Sequence, residues 1–169
     1  SRFTSMERYV EERRMVAVTC SVGNKGYMNA GYGENYFDFV KKELPEFILA
    51  NFPVSERKED TYIAGLSMGG YGALAHALEH PDSYQAVGAF SPATDWGGME
   101  PEERLGHGLP DMMELKTLLE NDLAAGKKLP EIFMCIGKQD FLYDTVVDFH
   151  QTLEAEGVGH RYDDVDGFE

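Results

Sequence analysis

The chain has 169 residues, of which 43% are hydrophobic, 12% aromatic and 27% charged; that is the profile of one globular domain with a real core. Lys and Arg number 15 against 30 Asp and Glu, a formal net charge of −15, which repels nucleic-acid backbones and anionic membrane surfaces. No apolar run approaches the ~18 residues that a membrane span needs, and two cysteines, Cys20 and Cys135, are too few for a disulfide framework, so reduced thiols in a cytoplasmic protein are expected. No signal peptide opens the sequence; the natural N-terminus is expected upstream of Ser1, which leaves secretion open.

Helix and short buried strand alternate along the chain. Residues 5–12 read as a helix with Ser5 at its N-cap, and Met15-Val-Ala-Val-Thr19 as a buried strand. Residues 21–33 are rich in Gly, Asn and Tyr and read as a loop. Asn35 is placed to cap a helix carrying Tyr36, Phe39, Val40, Leu44, Phe47 and Ile48 at helical spacing, in which Pro45 implies a kink or a division into two pieces. A strand is predicted over 61–65, a helix over 70–80 and a strand over 86–91. Residues 92–110 are irregular. A helix over 111–123 ends at Gly126. Strands over 131–137 and 160–165 flank a helix over 143–156. Such alternation implies an α/β fold with a mostly parallel, doubly wound sheet.

The motif that carries chemistry is Gly65-Leu66-Ser67-Met68-Gly69. It matches G-x-S-x-G, the turn that lifts a nucleophilic serine above the C-terminal edge of a sheet. The pentapeptide alone arises by chance in roughly one such chain in twenty at ordinary Gly and Ser frequencies. Its placement between an apolar strand and a helix is what makes it specific. The inert alternative is a Gly-rich strand–helix turn. A phosphate-binding turn is disfavoured, because no Lys follows and the G-x-G-x-x-G spacing is absent. At the helix N-terminus, free N–H groups favour developing negative charge, which makes Met68 the expected oxyanion donor.

A serine hydroxyl needs a base, and the base an orienting acid, in the chain order Ser, Asp or Glu, His. Parallel strands end on one edge, so the acid should follow a later strand. Asp140, in Gly137-Lys-Gln-Asp140, is in that loop; Asp144 is the second choice, and helix capping is the structural alternative for Asp140. None of the five histidines suits the base. His76 and His80 lie along the helix after Ser67, roughly 13 and 20 Å from it at 1.5 Å per residue. His150 sits mid-helix, His160 starts a strand at the wrong edge, and His107 precedes the acid. The base is expected in the loop after Val165, just beyond Glu169.

The stretches Tyr32-Gly-Glu-Asn-Tyr-Phe-Asp-Phe39, Glu43-Leu-Pro45, Ile63-Ala-Gly-Leu-Ser-Met-Gly-Gly-Tyr-Gly-Ala-Leu74 and Cys135-Ile-Gly-Lys-Gln-Asp-Phe-Leu-Tyr143 resemble the putative-esterase family. That group includes esterase D, S-formylglutathione hydrolase and bacterial tributyrin esterases, and the tributyrin esterase branch looks most similar. The resemblance covers nearly the whole chain. It implies an α/β-hydrolase fold cleaving short-chain acyl or aryl esters through an acyl-enzyme, with Asp140 as the acid. It also implies that the family's first strands, the His-Gly loop that donates a second oxyanion N–H, the base-bearing loop and the final helix lie outside these 169 residues. The chain is therefore expected to be one partial hydrolase domain, inactive by itself.

Tyr27, Met28, Tyr32, Tyr36 and Trp96 occupy loops near the catalytic edge and are candidates to line the pocket, ordinary aromatic packing being the alternative. Tyr71 is expected to pack beneath the nucleophile, and residues 97–110 to form part of a lid. The expected partner is a small-molecule ester, with no nucleic acid and no membrane; a homo-oligomer is compatible. No cofactor or metal is implied, since no cluster has ligand spacing. An S-formylglutathione hydrolase, an acyltransferase and a non-catalytic hydrolase-fold binding protein are the competing readings.

Overall fold

The computed structural model describes residues 5–23, 26–29, 34–96, 100, 102 and 113–167. Helix α1 spans Met6–Arg13, with Ser5 at its N-cap position but making no side-chain cap bond. Helix α2, Tyr36–Asp38, runs into a π-helical stretch, Phe39–Glu43, and then into α3, Leu44–Asn51. Asn35, too, makes no side-chain cap bond. The irregularity expected at Pro45 takes the form of the π-helical stretch just before it, with the backbone helical throughout: proline has no N–H to donate, and a ladder widened by one residue accommodates the gap.

Strand β1 is Tyr62–Leu66, followed at once by α4, Met68–Glu79. Strand β2 is Ala86–Phe90, α5 is Leu115–Ala124, β3 is Glu131–Gly137, α6 is Tyr143–Ala155 and β4 is His160–Val165. Gly126 and Gly157, at φ 65° and 68°, take the left-handed conformation that closes α5 and α6. The four strands form one sheet in the order β1-β2-β3-β4, every pair parallel.

The run Met15–Thr19 is not a strand. Met15, Val16 and Val18 are exposed, and the run joins no described ladder. A short apolar run with β-branched residues fits a strand by periodicity, but a strand needs a neighbour to bond, and this one has none among the described residues. Cys20 thus lies outside the sheet, whereas Cys135 is on β3; both are free thiols.

Strand residues alternate in burial. Val87, Ala89, Ile132, Met134 and Ile136 face the helices and form the core with Leu74, Leu78, Leu119, Val146, Phe149 and Leu153. Helix α4 packs on β1 and β2, and α6 on β3. On the opposite face Tyr62, Leu66 and Phe90 stand open among the described residues.

Beside α4 the imidazole of His76, 1% exposed, stacks on Phe37 at 4.0 Å between centroids. Lys41 Nζ donates to His80 Nδ1 at 2.7 Å. Burial, then the neighbouring His80, holds the His76 pKa down from 6.5 to about 4. The unfolded chain therefore binds a proton on this residue in a window where the folded one does not. The stability it contributes is present above pH 6.5 and is lost as pH falls toward 4, by about 3 kcal/mol over that range. Urea unfolding of wild type and His76→Phe across pH 7 to 4 should show a flatter acid limb in the variant; parallel limbs would refute the assignment.

Candidate active site

Ser67 is the single residue between β1 and α4. Its backbone has φ 56° and ψ −116°, a conformation that costs a non-glycine residue about 1–3 kcal/mol and persists only where its surroundings enforce it. They do so here. Ser67 N–H donates to Phe90 O at 2.8 Å, and Ser67 O accepts from Tyr71 N–H at 3.1 Å and Ala93 N–H at 3.3 Å. Its hydroxyl makes no cap bond to the helix it precedes, although serine at an N-cap ordinarily does. The oxygen is left for chemistry.

The glycines on either side answer to contacts. A Cβ on Gly65 would lie 2.1 Å from Gly69 O, across the elbow itself. One on Gly70 would lie 2.9 Å from Pro92 Cβ. Strand and helix approach this closely only without side chains there. Met68 opens α4, so its N–H has no acceptor within the helix.

The register sets the opposite rim of the site. Leu66 pairs with Phe90 and Phe90 with Cys135, so β1 and β2 end level with each other and β3 runs two residues further at the same edge, to Gly137. Asp140 follows Gly137 by three residues and so shares the edge with Ser67, two strands away. Two interstrand spacings put the axes of β1 and β3 roughly 10 Å apart, a lateral reach that the serine and aspartate side chains together with an imidazole and its hydrogen bonds of ~2.8 Å can bridge. Asp140 is 8% exposed, and its Oδ1 accepts Leu142 N–H at 2.9 Å. Asp144 is exposed in the first turn of α6.

The acid loop is tied to the chain leaving β4: Lys138 N–H donates to Val165 O at 2.8 Å and Gln139 N–H to Gly167 O at 3.0 Å. The Tyr143 hydroxyl donates to Asp164 Oδ2 at 2.8 Å, and Lys138 Nζ lies 3.6 Å from Asp164 and 3.5 Å from Asp166. Those two carboxylates push the lysine pKa up.

Four histidines are described, and each is engaged away from this edge. His76 and His80 pack beside Phe37, at 4.0 and 5.6 Å. His150 Nδ1 and His160 Nε2 are 2.7 Å apart, and His160 is paired with Ile132 at the start of β3. His107 lies outside the described residues.

Tyr27 is half-buried against α4, and Tyr36 is half-buried at the start of α2. Trp96 lies 6.2 Å from the Tyr71 ring. Met28 is not available to a pocket; it is 1% exposed and belongs to the core, because an apolar side chain in a loop turns inward when the core is within reach. Tyr71 is fully buried as expected, its hydroxyl donating to Met113 O at 2.7 Å. Tyr32 and most of 97–110 lie outside the described residues. What sequence reading missed is Ser91, 2% exposed, with φ 40°, which follows the residue that accepts the Ser67 N–H bond.

A parallel sheet that presents a strained serine at a helix N-terminus has the α/β-hydrolase fold. Comparison with known proteins narrows this. The model of the Putative esterase family matches residues 2–167, and the chain belongs to that family. An acetyl esterase of Caldicellulosiruptor saccharolyticus is 30% identical over 178 aligned residues, which cover 92% of this chain and 66% of the relative. Among solved structures, FphF, a fluorophosphonate-binding serine hydrolase of Staphylococcus aureus, superposes with TM-score 0.85 at 28% identity, over 98% of this chain and 69% of its own. FrmB, an S-formylglutathione hydrolase of the same organism, gives 0.80 at 30% identity, over 98% and 69%. The chain thus spans about two thirds of the length of these relatives.

Proposed function

We propose that the protein is a serine hydrolase of carboxylic esters, acting on short acyl (acetyl or butyryl) or aryl esters, with residues 1–169 forming part of one hydrolase domain. One observation carries the reading: Ser67 is held in a strained conformation at the start of α4, its hydroxyl uncommitted to capping, on the same sheet edge as Asp140. Its Oγ attacks the ester carbonyl while its proton passes to a base. The tetrahedral oxyanion is met by Met68 N–H. Collapse breaks the C–O bond, and the departing alcohol takes the proton from the base. Water, deprotonated by the same base, then cleaves the acyl-serine and releases the carboxylic acid. Asp140 orients the base and stabilises its cation. In this reading the base is a histidine carried by chain beyond Glu169; the bonds from the acid loop to Val165 and Gly167 support such a path, since they hold the departing chain beside Asp140. Tyr36 and Trp96, with Tyr32, are proposed as pocket walls; Tyr27, the fourth candidate, has its ring laid against Gly69 and Gly72 of α4 and is given no part in binding the substrate.

The likeness to the acetyl esterase supports an oxyester as the first reading. The likeness to FrmB supports a thioester, S-formylglutathione, as the second reading. Turnover of p-nitrophenyl acetate, p-nitrophenyl butyrate and S-formylglutathione by the whole protein separates the two. Oxyester turnover is expected to give the higher kcat/KM; a thioester preference would favour the second reading, and no turnover of any of them would sink both.

A further inference from the structure

Four non-glycine residues have positive φ among those described: Arg14, Tyr27, Ser67 and Ser91. Arg14 merely ends α1. The other three converge on the first turn of α4. Backbone strain of this kind marks sites where the surrounding structure imposes a geometry.

Tyr27, at φ 60°, is a bulky residue in a region such residues avoid. Its ring lies along α4. A Cβ on Gly72 would come within 2.8–2.9 Å of Tyr27 Cβ, Cγ and Cδ2, and one on Gly69 would touch its Cε2, Cζ and Oη at 3.7–3.9 Å. The hydroxyl end of the ring therefore lies next to Gly69, one residue from Met68.

Ser91, at φ 40°, grips from the other flank. Its own N–H donates to Cys135 O at 2.8 Å, which fixes it to β3. The residue before it accepts from Ser67 N–H, and Ala93, two residues on, donates to Ser67 O. Pro92 between them packs on Gly70. The turn at Ser91 thus brings both bonds onto one residue, the strained serine.

We propose that Tyr27 and Ser91 are positioning residues: two left-handed turns that clamp the first turn of α4 from opposite flanks and hold the Ser67 and Met68 backbone where acyl transfer needs it. This rests on Ser67 being the nucleophile. Glycine at 70 and 72 is then explained as the surface the clamp closes on, where any side chain would collide with Pro92 or Tyr27. Such a clamp acts on the transition state rather than on ground-state binding, so its loss should lower kcat and leave KM alone.

The test measures kcat and KM for p-nitrophenyl acetate, with thermal midpoints, in the whole protein. Tyr27→Phe keeps the ring and Ser91→Gly adopts positive φ freely; both should stay within about 2-fold of wild type. Tyr27→Ala and Ser91→Val, the latter β-branched and unfit for the turn, should each lose about 10-fold or more in kcat at unchanged KM, below their midpoints, as small misplacements do. The proposal is overturned if both retain kcat, if KM rises with kcat intact, or if Ser91→Gly loses as much as Ser91→Val. Activity surviving in Ser67→Ala would instead show that the nucleophile assignment had failed, and the clamp's role with it.

Discussion

Ser67→Ala in the whole protein is expected to abolish labelling by a fluorophosphonate and to lower kcat for p-nitrophenyl acetate by several orders of magnitude, on the order of 10⁶ where serine, base and acid act as a unit. The effect should be confined to chemistry. Ser67 Oγ makes no cap bond that alanine would lose, and the three hydrogen bonds that fix residue 67 are all made by its backbone. The left-handed backbone is equally strained with either residue, so the thermal midpoint should stay close to wild type. Labelling at another residue, or undiminished turnover, would remove the serine from the mechanism. FphF, whose fold superposes on this chain, is a fluorophosphonate-binding hydrolase, which makes the probe a fair one.

Why was the strained serine legible in the sequence when its setting was not? The elbow is a local device. A Cβ on Gly65 would strike the Gly69 backbone across a single turn, so the reason for that glycine lies within five residues. Strands β1 to β4 were legible on similar grounds, as short apolar runs broken by turn residues, and β3 and β4 match their expected bounds. The clamp was not, because Gly70 and Gly72 answer to Pro92 and Tyr27, about 20 and 45 positions away in the chain, and only packing brings them together. Met15–Thr19 misled for the same reason: pairing is a non-local property, and an apolar run cannot report the lack of a partner. Met28 lay in a loop by pattern, yet the core reaches it.

Asp140→Asn is the second substitution of large expected effect, about 10⁴-fold in kcat, because a neutral amide no longer holds the base in its productive tautomer or stabilises its cation. Asp140 also has a structural duty: its Oδ1 accepts Leu142 N–H at 2.9 Å and helps to start α6. Asparagine separates the two roles. Its carbonyl oxygen accepts the same N–H, so the turn into α6 survives while the charge is lost. Asp140→Ala removes both, and should add a loss of stability of about 1 kcal/mol to the same loss of rate. Asp144, exposed one turn further on, provides the control, since Asp144→Asn should leave kcat within about 2-fold. If Asp140→Asn kept its rate while Asp144→Asn lost it, the acid would have to be moved one turn into α6. If neither changed it, Asp140 would be a helix cap and nothing more.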